Sequence, residues 1–368
     1  MRDFYLSKCL PLWIDRALDR QKWCFHEALN SDGAEIEDGR TRTRSAARCI
    51  YVYADASHRD LAPSGALDVA EECAHSLTKT TRTDEGLFAR VFNRETGEIL
   101  DSAADLYDQS CVLLAFAALA RATKDQTWLL ACDEILSAHA QHLKRASGGF
   151  AEDTLGSLPR RQNPHMHLFE ALTLLCETNP TKEYTNALTE LFHLFQTRFV
   201  DSDGVVREYF DAGWNTGPDI NSHIVEAGHM AEWAWLLNQA QPFLSTDCTP
   251  VITQLYNHAR RLGCDENNQD FLVNSTDLQS GVKSDTRRLW PQAEYIKAAL
   301  AAGDFYQAGE TCNALLKTYL NHSEAGLWND EYDCADTIIS TTAPASSLYH
   351  LWTAVDAIEK TFAANTIT

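Results

Sequence analysis

Three features of this sequence predict an all-α protein. Apolar residues recur at helical spacing along most of the chain, β-branched runs are scarce, and six glycine turns divide the 368 residues into stretches that each hold two helices. Ala, Leu, Glu and Gln dominate the periodic stretches, as helix propensity favours. Asp68 to Thr80 is amphipathic, whereas Ser110 to Ala122 and His167 to Leu175 are apolar nearly all round and must be buried.

The turns are Asp32-Gly33, Glu85-Gly86-Leu87-Phe88, Gly149-Phe150, Asp203-Gly204, Ser280-Gly281 and Gly326-Leu327-Trp328, with successive glycines 53, 63, 55, 77 and 45 residues apart. Helix pairs with apolar members facing inward and amphipathic members outward give an (α/α)6 toroid, a barrel of six helix pairs with short loops or hairpins at the pocket end. A linear solenoid is the rival arrangement, but its repeats are shorter and more regular, about 34 to 47 residues. No Pro/Ser-rich linker or low-complexity block divides the chain, so residues 1–368 are expected to form a single barrel domain.

Composition narrows the partners. Hydrophobic side chains make up 45% and charged ones 23%, which is ample for a large core, and the formal charge is −21. A surface that acidic repels phosphate backbones and anionic headgroups, which argues against nucleic acid and membrane as partners. The longest apolar run, Cys111 to Ala120, is ten residues, against the roughly 18 a bilayer span needs. Met1 to Trp13 has no signal-peptide pattern, so a cytoplasmic location is expected. The eleven cysteines include no Cys-x-x-Cys pair, and they are expected to be free thiols behaving as small hydrophobes. A homo-oligomer is left open.

After each turn the next helix opens with polar residues. These are Arg48, then Tyr107-Asp108-Gln109, then Asn163 and His167, then His229 and Glu232, then Arg288 to Glu294, and finally His350. If the six inner helices point the same way, these groups converge on one pocket. Asn163 can cap a helix whose first turn carries Pro164, and His167 then shares a face with Glu170. His165 and His167 lie about 200° apart around a helix, so they cannot grip one ion, and no metal is expected. The i, i+3 spacing of His229 and Glu232 suggests a carboxylate that orients an imidazole. Tryptophans 233, 235, 290, 328 and 352 divide between a ligand-facing wall and core. The acidic run Asp330, Glu331, Asp333, Asp336 and the pairs Arg160-Arg161 and Arg287-Arg288 are expected as solvated surface.

Four motifs carry a resemblance to a known family: Asn-Pro-His-Met-His-Leu-Phe-Glu-Ala (163–171), Gly-His-Met-Ala-Glu-Trp-Ala-Trp-Leu-Leu (228–237), Arg-Leu-Trp-Pro-Gln-Ala-Glu (288–294) and Pro-Ala-Ser-Ser-Leu-Tyr-His-Leu (344–351). With Ala47-Arg48 and Tyr107-Asp108-Gln109, the chain resembles the N-acylglucosamine 2-epimerase superfamily, and within it the D-mannose isomerases and related aldose-ketose isomerases. The resemblance implies an (α/α)6 barrel without metal or organic cofactor, acting on a free monosaccharide. It implies that His167, His229 and His350 are pocket histidines, Arg48 an electrophilic arginine, and Glu232 and Glu294 acidic partners. The chain is somewhat short for that family, and Ala231 stands where many members carry a bulkier residue.

Histidine suits the proton steps of aldose-ketose interconversion because its ordinary pKa near 6.5 lets it accept and donate at neutral pH. The expected catalytic set is His350 moving the proton between C2 and C1, His229 with Glu232 opening the sugar ring, and Arg48 holding the enediolate oxygen. His167, Asn163, Tyr107, Asp108, Trp290, Glu294 and Arg288 are expected to bind substrate, with D-mannose to D-fructose as the reaction. The alternatives are a 2-epimerase using His229 as a second base, a glycoside hydrolase pairing Glu232 with Glu294 or Asp108, and a non-catalytic carbohydrate-binding or scaffolding protein.

Overall fold

Twelve helical segments account for most of the computed structural model, which describes residues 1–36, 39–266 and 268–365. They alternate between two environments. The helices α1 (residues 2–16), α3 (Ala66–Thr81), α5 (Gln126–Ala138), α7 (Lys182–Leu194), α9 (Thr249–Gly263) and α11 (Phe305–Lys317) each keep a polar face. The helices α2 (Thr43–His58), α4 (Leu106–Thr123), α6 (Asn163–Thr178), α8 (Ala227–Ala240), α10 (Leu289–Ala301) and α12 (Ala345–Asn365) are buried along most of their length. In α4 every residue from Asp108 to Ala120 is buried, which meets the expectation for an all-round apolar helix. No helix among the described residues is long and apolar enough to cross a membrane.

Contacts between the inner helices run in a circuit. α2 touches α4, α4 touches α6, and so on through α8 and α10 to α12, which packs back against α2. Each outer helix lies on the inner helix before it, and α1 completes the last pair against α12. Buried tyrosines tie that closure: Tyr5 donates to the Leu348 carbonyl at 2.9 Å and Tyr53 to the Leu10 carbonyl at 3.0 Å. Trp13 stacks on Trp328 at 5.3 Å between centroids, and burying such side chains contributes roughly 1.5–3 kcal/mol each.

Short antiparallel strands repeat the circuit at one end. The segment leading into each inner helix pairs with the connection leading into the next one: 40–42 with 91–93, 160–161 with 209–210, 224–225 with 276–277, and 286–288 with 331–333. A bridge from Asp105 to Asp153 fills the remaining place, and 342–344 returns to 28–30. The inner helices therefore all present their N-terminal turns to this end.

The six glycines selected from the sequence all lie in these connections, and all have positive φ. One belongs to a different turn from the others. The turn after α9 is bridged from Cys264 to Leu272 and contains no glycine, while Gly281 lies in the next hairpin, where Thr276 pairs with Lys283. That displacement explains the unequal 77- and 45-residue intervals.

Two other expectations are corrected. Arg287 is 1% exposed and bonded to Asp265 at 2.6 Å, and Arg160 is buried over the Trp214 ring, so neither is solvated surface. Charge pairing and aromatic stacking offset their desolvation. All eleven cysteines are free, eight of them buried, as expected of small hydrophobes.

Gly326 sits at φ +107°, and a Cβ there would lie 2.8 Å from the Lys8 carbonyl oxygen, where α1 crosses. Gly326→Ala is predicted to destabilise by about 1–3 kcal/mol in chemical denaturation. Gly97→Ala, at φ +74° with no atom within 4 Å of its new Cβ, should cost less. Equal losses would show that the α1 contact contributes nothing.

Candidate active site

A cavity of roughly 460 Å³ opens at the N-terminal ends of the inner helices. Each inner helix supplies lining from its first two turns: Arg48 from α2, Tyr107 from α4, Asn163 and His167 from α6, His229 and Glu232 from α8, Trp290 from α10 and His350 from α12. Converging helix N-termini favour negative charge developing between them.

Arg48 is 5% exposed and held rigidly. Its Nη2 donates to the Tyr107 hydroxyl at 2.9 Å and to His167 Nε2 at 3.1 Å, and the guanidinium lies 4.6 Å from the Tyr349 ring centroid. His167 stacks on Tyr107 at 4.7 Å and bonds Glu170 through Nδ1 at 3.1 Å; Tyr349 donates to the other Glu170 oxygen. Burial, with the Arg48 charge in support, holds the His167 pKa down to about 4 against the pull of Glu170. The ring is therefore neutral, donating to Glu170 and accepting from Arg48. Its contribution is to aim the guanidinium.

His229 and His350 flank the Trp290 ring, at 5.1 and 5.5 Å between centroids. Their surroundings differ. His229 Nδ1 lies 2.9 Å from Glu208 and 3.8 Å from Glu226, and Nε2 is 2.8 Å from the Asn163 amide. Burial alone would lower its pKa, but Glu208 and Glu226 overcome this and raise it to about 10. An imidazolium calls for the Asn163 amide turned so that Oδ1, otherwise buried without a partner, accepts from Nε2.

His350 Nδ1 bonds Glu294 Oε1 at 2.7 Å, and Glu294 Oε2 lies 2.7 Å from Lys297 Nζ. Burial, then the charges of Arg48 and Lys297, put the His350 pKa well below the ordinary value. Its Nε2 has no hydrogen-bond partner among the described residues. A neutral ring donating through Nδ1 presents a lone pair on Nε2.

The expected site residues divide accordingly. Arg48, Tyr107, Asn163, His167, His229, Glu232, Arg288, Trp290 and His350 line one cavity. Asp108 does not: it is fully buried and accepts from the Arg44 backbone N–H at 2.8 Å, tying α2 to α4. Glu294 is also fully buried, behind His350, where it meets that ring instead of a ligand. Glu232 does not orient His229. A helical side chain leans toward the N-terminus, so the His229 ring tips toward Glu226, and Glu232 lies deeper, 4.0 Å from His167 Nδ1. Burial and the nearby Glu294 raise the Glu232 pKa well above the carboxylate range, which keeps it protonated.

Asn163 does not cap α6; its side chain goes to His229. Of the five tryptophans only Trp290 lines this cavity, while Trp233, Trp328 and Trp352 are core. Asp330 and Glu331 line the mouth, a correction to the solvated acidic run.

Glu208, the main partner of His229, was missed by sequence reasoning. It precedes the short strand that pairs with residues 160–161, and it also accepts from Gln162 Nε2 at 2.9 Å. Only that cross-strand neighbour relation marks it. Two clusters bring three donors within 4.8 Å of one another, Glu208 with Glu226 and His229, and Glu232 with Glu294 and His350. They fit a cation poorly. The first already holds a proton between carboxylates and imidazole, and the second shares Glu294 with an ammonium.

Known proteins resemble this chain over most of its length. The family model described as N-acylglucosamine 2-epimerase (GlcNAc 2-epimerase) matches residues 24–354. Mannose-6-phosphate isomerase of Rhizobium meliloti is 31% identical over 366 residues, covering 95% of this chain and 93% of that one. Cellobiose 2-epimerase of Bacteroides fragilis is 21% identical, covering 88% and 87%. A solved D-mannose isomerase shares the fold with a TM-score of 0.89 at 18% identity, covering 98% and 97%. The fold and the site define an enzyme of the sugar isomerase and epimerase class. The chain belongs to the N-acylglucosamine 2-epimerase family.

His229 carries a folded-state pKa of about 10, above the roughly 6.5 of an unfolded histidine. Its contribution to stability is fully present below about pH 6.5 and is lost as pH rises through 10. By ¹⁵N NMR, His229 should remain doubly protonated at about pH 8, and Glu208→Gln should lower its midpoint by about 1–3 units. An unchanged midpoint would remove Glu208 as the cause.

Proposed function

We propose that this protein is an aldose-ketose isomerase that converts free D-mannose to D-fructose, and that residues 1–368 form one (α/α)6 catalytic domain. The observation that carries the reading is the different pairing of the two histidines beside Trp290. Among the described residues His350 is hydrogen-bonded through Nδ1 alone, to Glu294, which leaves Nε2 free, while His229 is bonded on both nitrogens, to Glu208 and Asn163, in carboxylate surroundings that push its pKa up to about 10.

His350 takes the C2 proton and returns it to C1 on the same face of the enediolate, while the O2 proton passes to O1, so that the C1 aldehyde becomes a hydroxyl and the C2 hydroxyl becomes the ketone. Arg48, aimed by His167 and Tyr107, holds the developing oxyanion, with the helix N-termini in support. His229 exchanges Asn163 for the sugar ring oxygen and protonates it as the C1–O5 bond breaks, since an alkoxide is basic enough to take a proton from a group of pKa about 10, and the proton that the anomeric hydroxyl gives up in forming the C1 carbonyl restores the His229 imidazolium. A 2-epimerase needs a second base that cycles freely on the opposite face of C2, and a cation clamped between carboxylates suits that role poorly.

The 31% identity to an isomerase, against 21% to an epimerase, supports the same choice. A free sugar is favoured because the mouth arginines are already matched by acids: Arg42 by Glu27, Arg44 by Asp108 and Arg288 by Glu331. Hydrolysis is disfavoured because Glu294 and Asp108, the candidate partners of Glu232, are both fully buried.

Incubation with D-mannose should yield fructose, and His350→Ala should lower kcat by about 10²- to 10⁴-fold while the fold persists. Glucose as the product would establish the epimerase instead. Faster turnover of mannose 6-phosphate than of mannose would overturn the free-sugar assignment, and no conversion of any free aldose would overturn both reactions.

A further inference from the structure

Lys297 is the buried amine at the centre of the bore, 1% exposed, one helical turn beyond Glu294 on α10. Its Nζ lies 2.7 Å from Glu294 Oε2 and 3.0 Å from Thr353 Oγ1. Glu294 in turn meets His350 Nδ1 at 2.7 Å through its other oxygen. Ammonium, carboxylate and imidazole thus form a line that ends on the ring facing the cavity. Lys297 does not line that cavity. At 1% exposure, its placement beside this carboxylate costs desolvation that a surface ion pair would not.

We propose that Lys297 is a positioning residue that fixes the tautomer of His350. The inference rests on the reading of His350 as the base. Glu294 and His350 share protons, and the pair matters as a unit. With one proton between them, the carboxylate is ionised, Nδ1 carries the hydrogen and Nε2 carries the lone pair. With two, either the ring is an imidazolium or the carboxylic acid donates to Nδ1 and the hydrogen moves to Nε2. Both two-proton arrangements block Nε2. An ammonium touching Glu294 stabilises the one-proton state, so it keeps the base unprotonated at neutral pH.

Other charged and titratable groups face His350 from every side. Arg48 comes from α2, His167 and Glu170 from α6, His229 and Glu232 from α8, and Tyr349 from its own helix. Arg48 opposes protonation of His350 and Glu170 favours it, while His167 and Glu232 are themselves neutral. Of these groups, Lys297 is the one in direct contact with the Glu294 oxygen that His350 does not use.

The test is the pH profile of purified Lys297→Met with D-mannose, with circular dichroism confirming the fold. The acid limb of kcat should move up by about 1 to 3 pH units, activity should recover at higher pH, KM should change little, and Lys297→Arg should restore the limb. A loss spread evenly over all pH values, or an acid limb that does not move, would overturn the proposal. If Lys297→Met does not fold, Thr353→Val, which removes the second partner of Nζ, should shift the limb in the same direction by less; an unmoved limb there would equally count against it. ¹⁵N NMR of His350 reads the same midpoint without turnover. If His350→Ala retains activity, the base assignment fails, but an NMR midpoint unchanged by Lys297→Met still decides the role of the lysine by itself.

Discussion

Five carboxyl groups, three imidazoles, a guanidinium and an ammonium gather around one cavity, and the arrangement depends on how these buried groups are paired. Glu170 answers His167, Glu208 answers His229, and Glu294 answers both His350 and Lys297. An ion left unpaired in such surroundings costs several kcal/mol, so Glu232, which has no cation of its own in direct contact, stays protonated. The circuit of helix contacts exists to hold this set at fixed distances. Its closure through α1 and the strand pair 28–30 with 342–344 keeps α12, and with it His350, in place.

The same residue type meets two different electrostatic environments on either side of one tryptophan ring. His229 sits beside two carboxylates, Glu208 and Glu226; His350 feels the Arg48 charge and sits beside a carboxylate whose charge is shared with a lysine. Neither imidazole is special in itself. In the proposed reaction, environment would make one the proton donor and the other the acceptor, so that two identical side chains serve both halves of a proton transfer.

Much of this plan was legible beforehand. Helical periodicity identified the buried helices α4 and α6, and the glycine turns marked the connections because a tight bend with positive φ needs a residue without a side chain. Their shared phase placed Arg48, His167, His229 and His350 on one cavity. What could not be read were partners. The i, i+3 spacing suggested Glu232 as the partner of His229, where the lean of the side chain selects Glu226 and the strand register adds Glu208. Asp108 and Glu294 have the composition of ligand-binding residues but serve as buried struts, since only three-dimensional depth separates a carboxylate facing a cavity from one behind it.

Local propensity, turn chemistry and periodic burial are properties of neighbouring residues, and from these the sequence by itself determined the helices, their inward faces and the end of each helix that carries polar groups. Tertiary structure alone decided that Glu208 meets His229 and Glu294 meets His350, because those pairings join residues 21 and 56 positions apart. Their energies depend on distance and desolvation, which no spacing along the chain encodes.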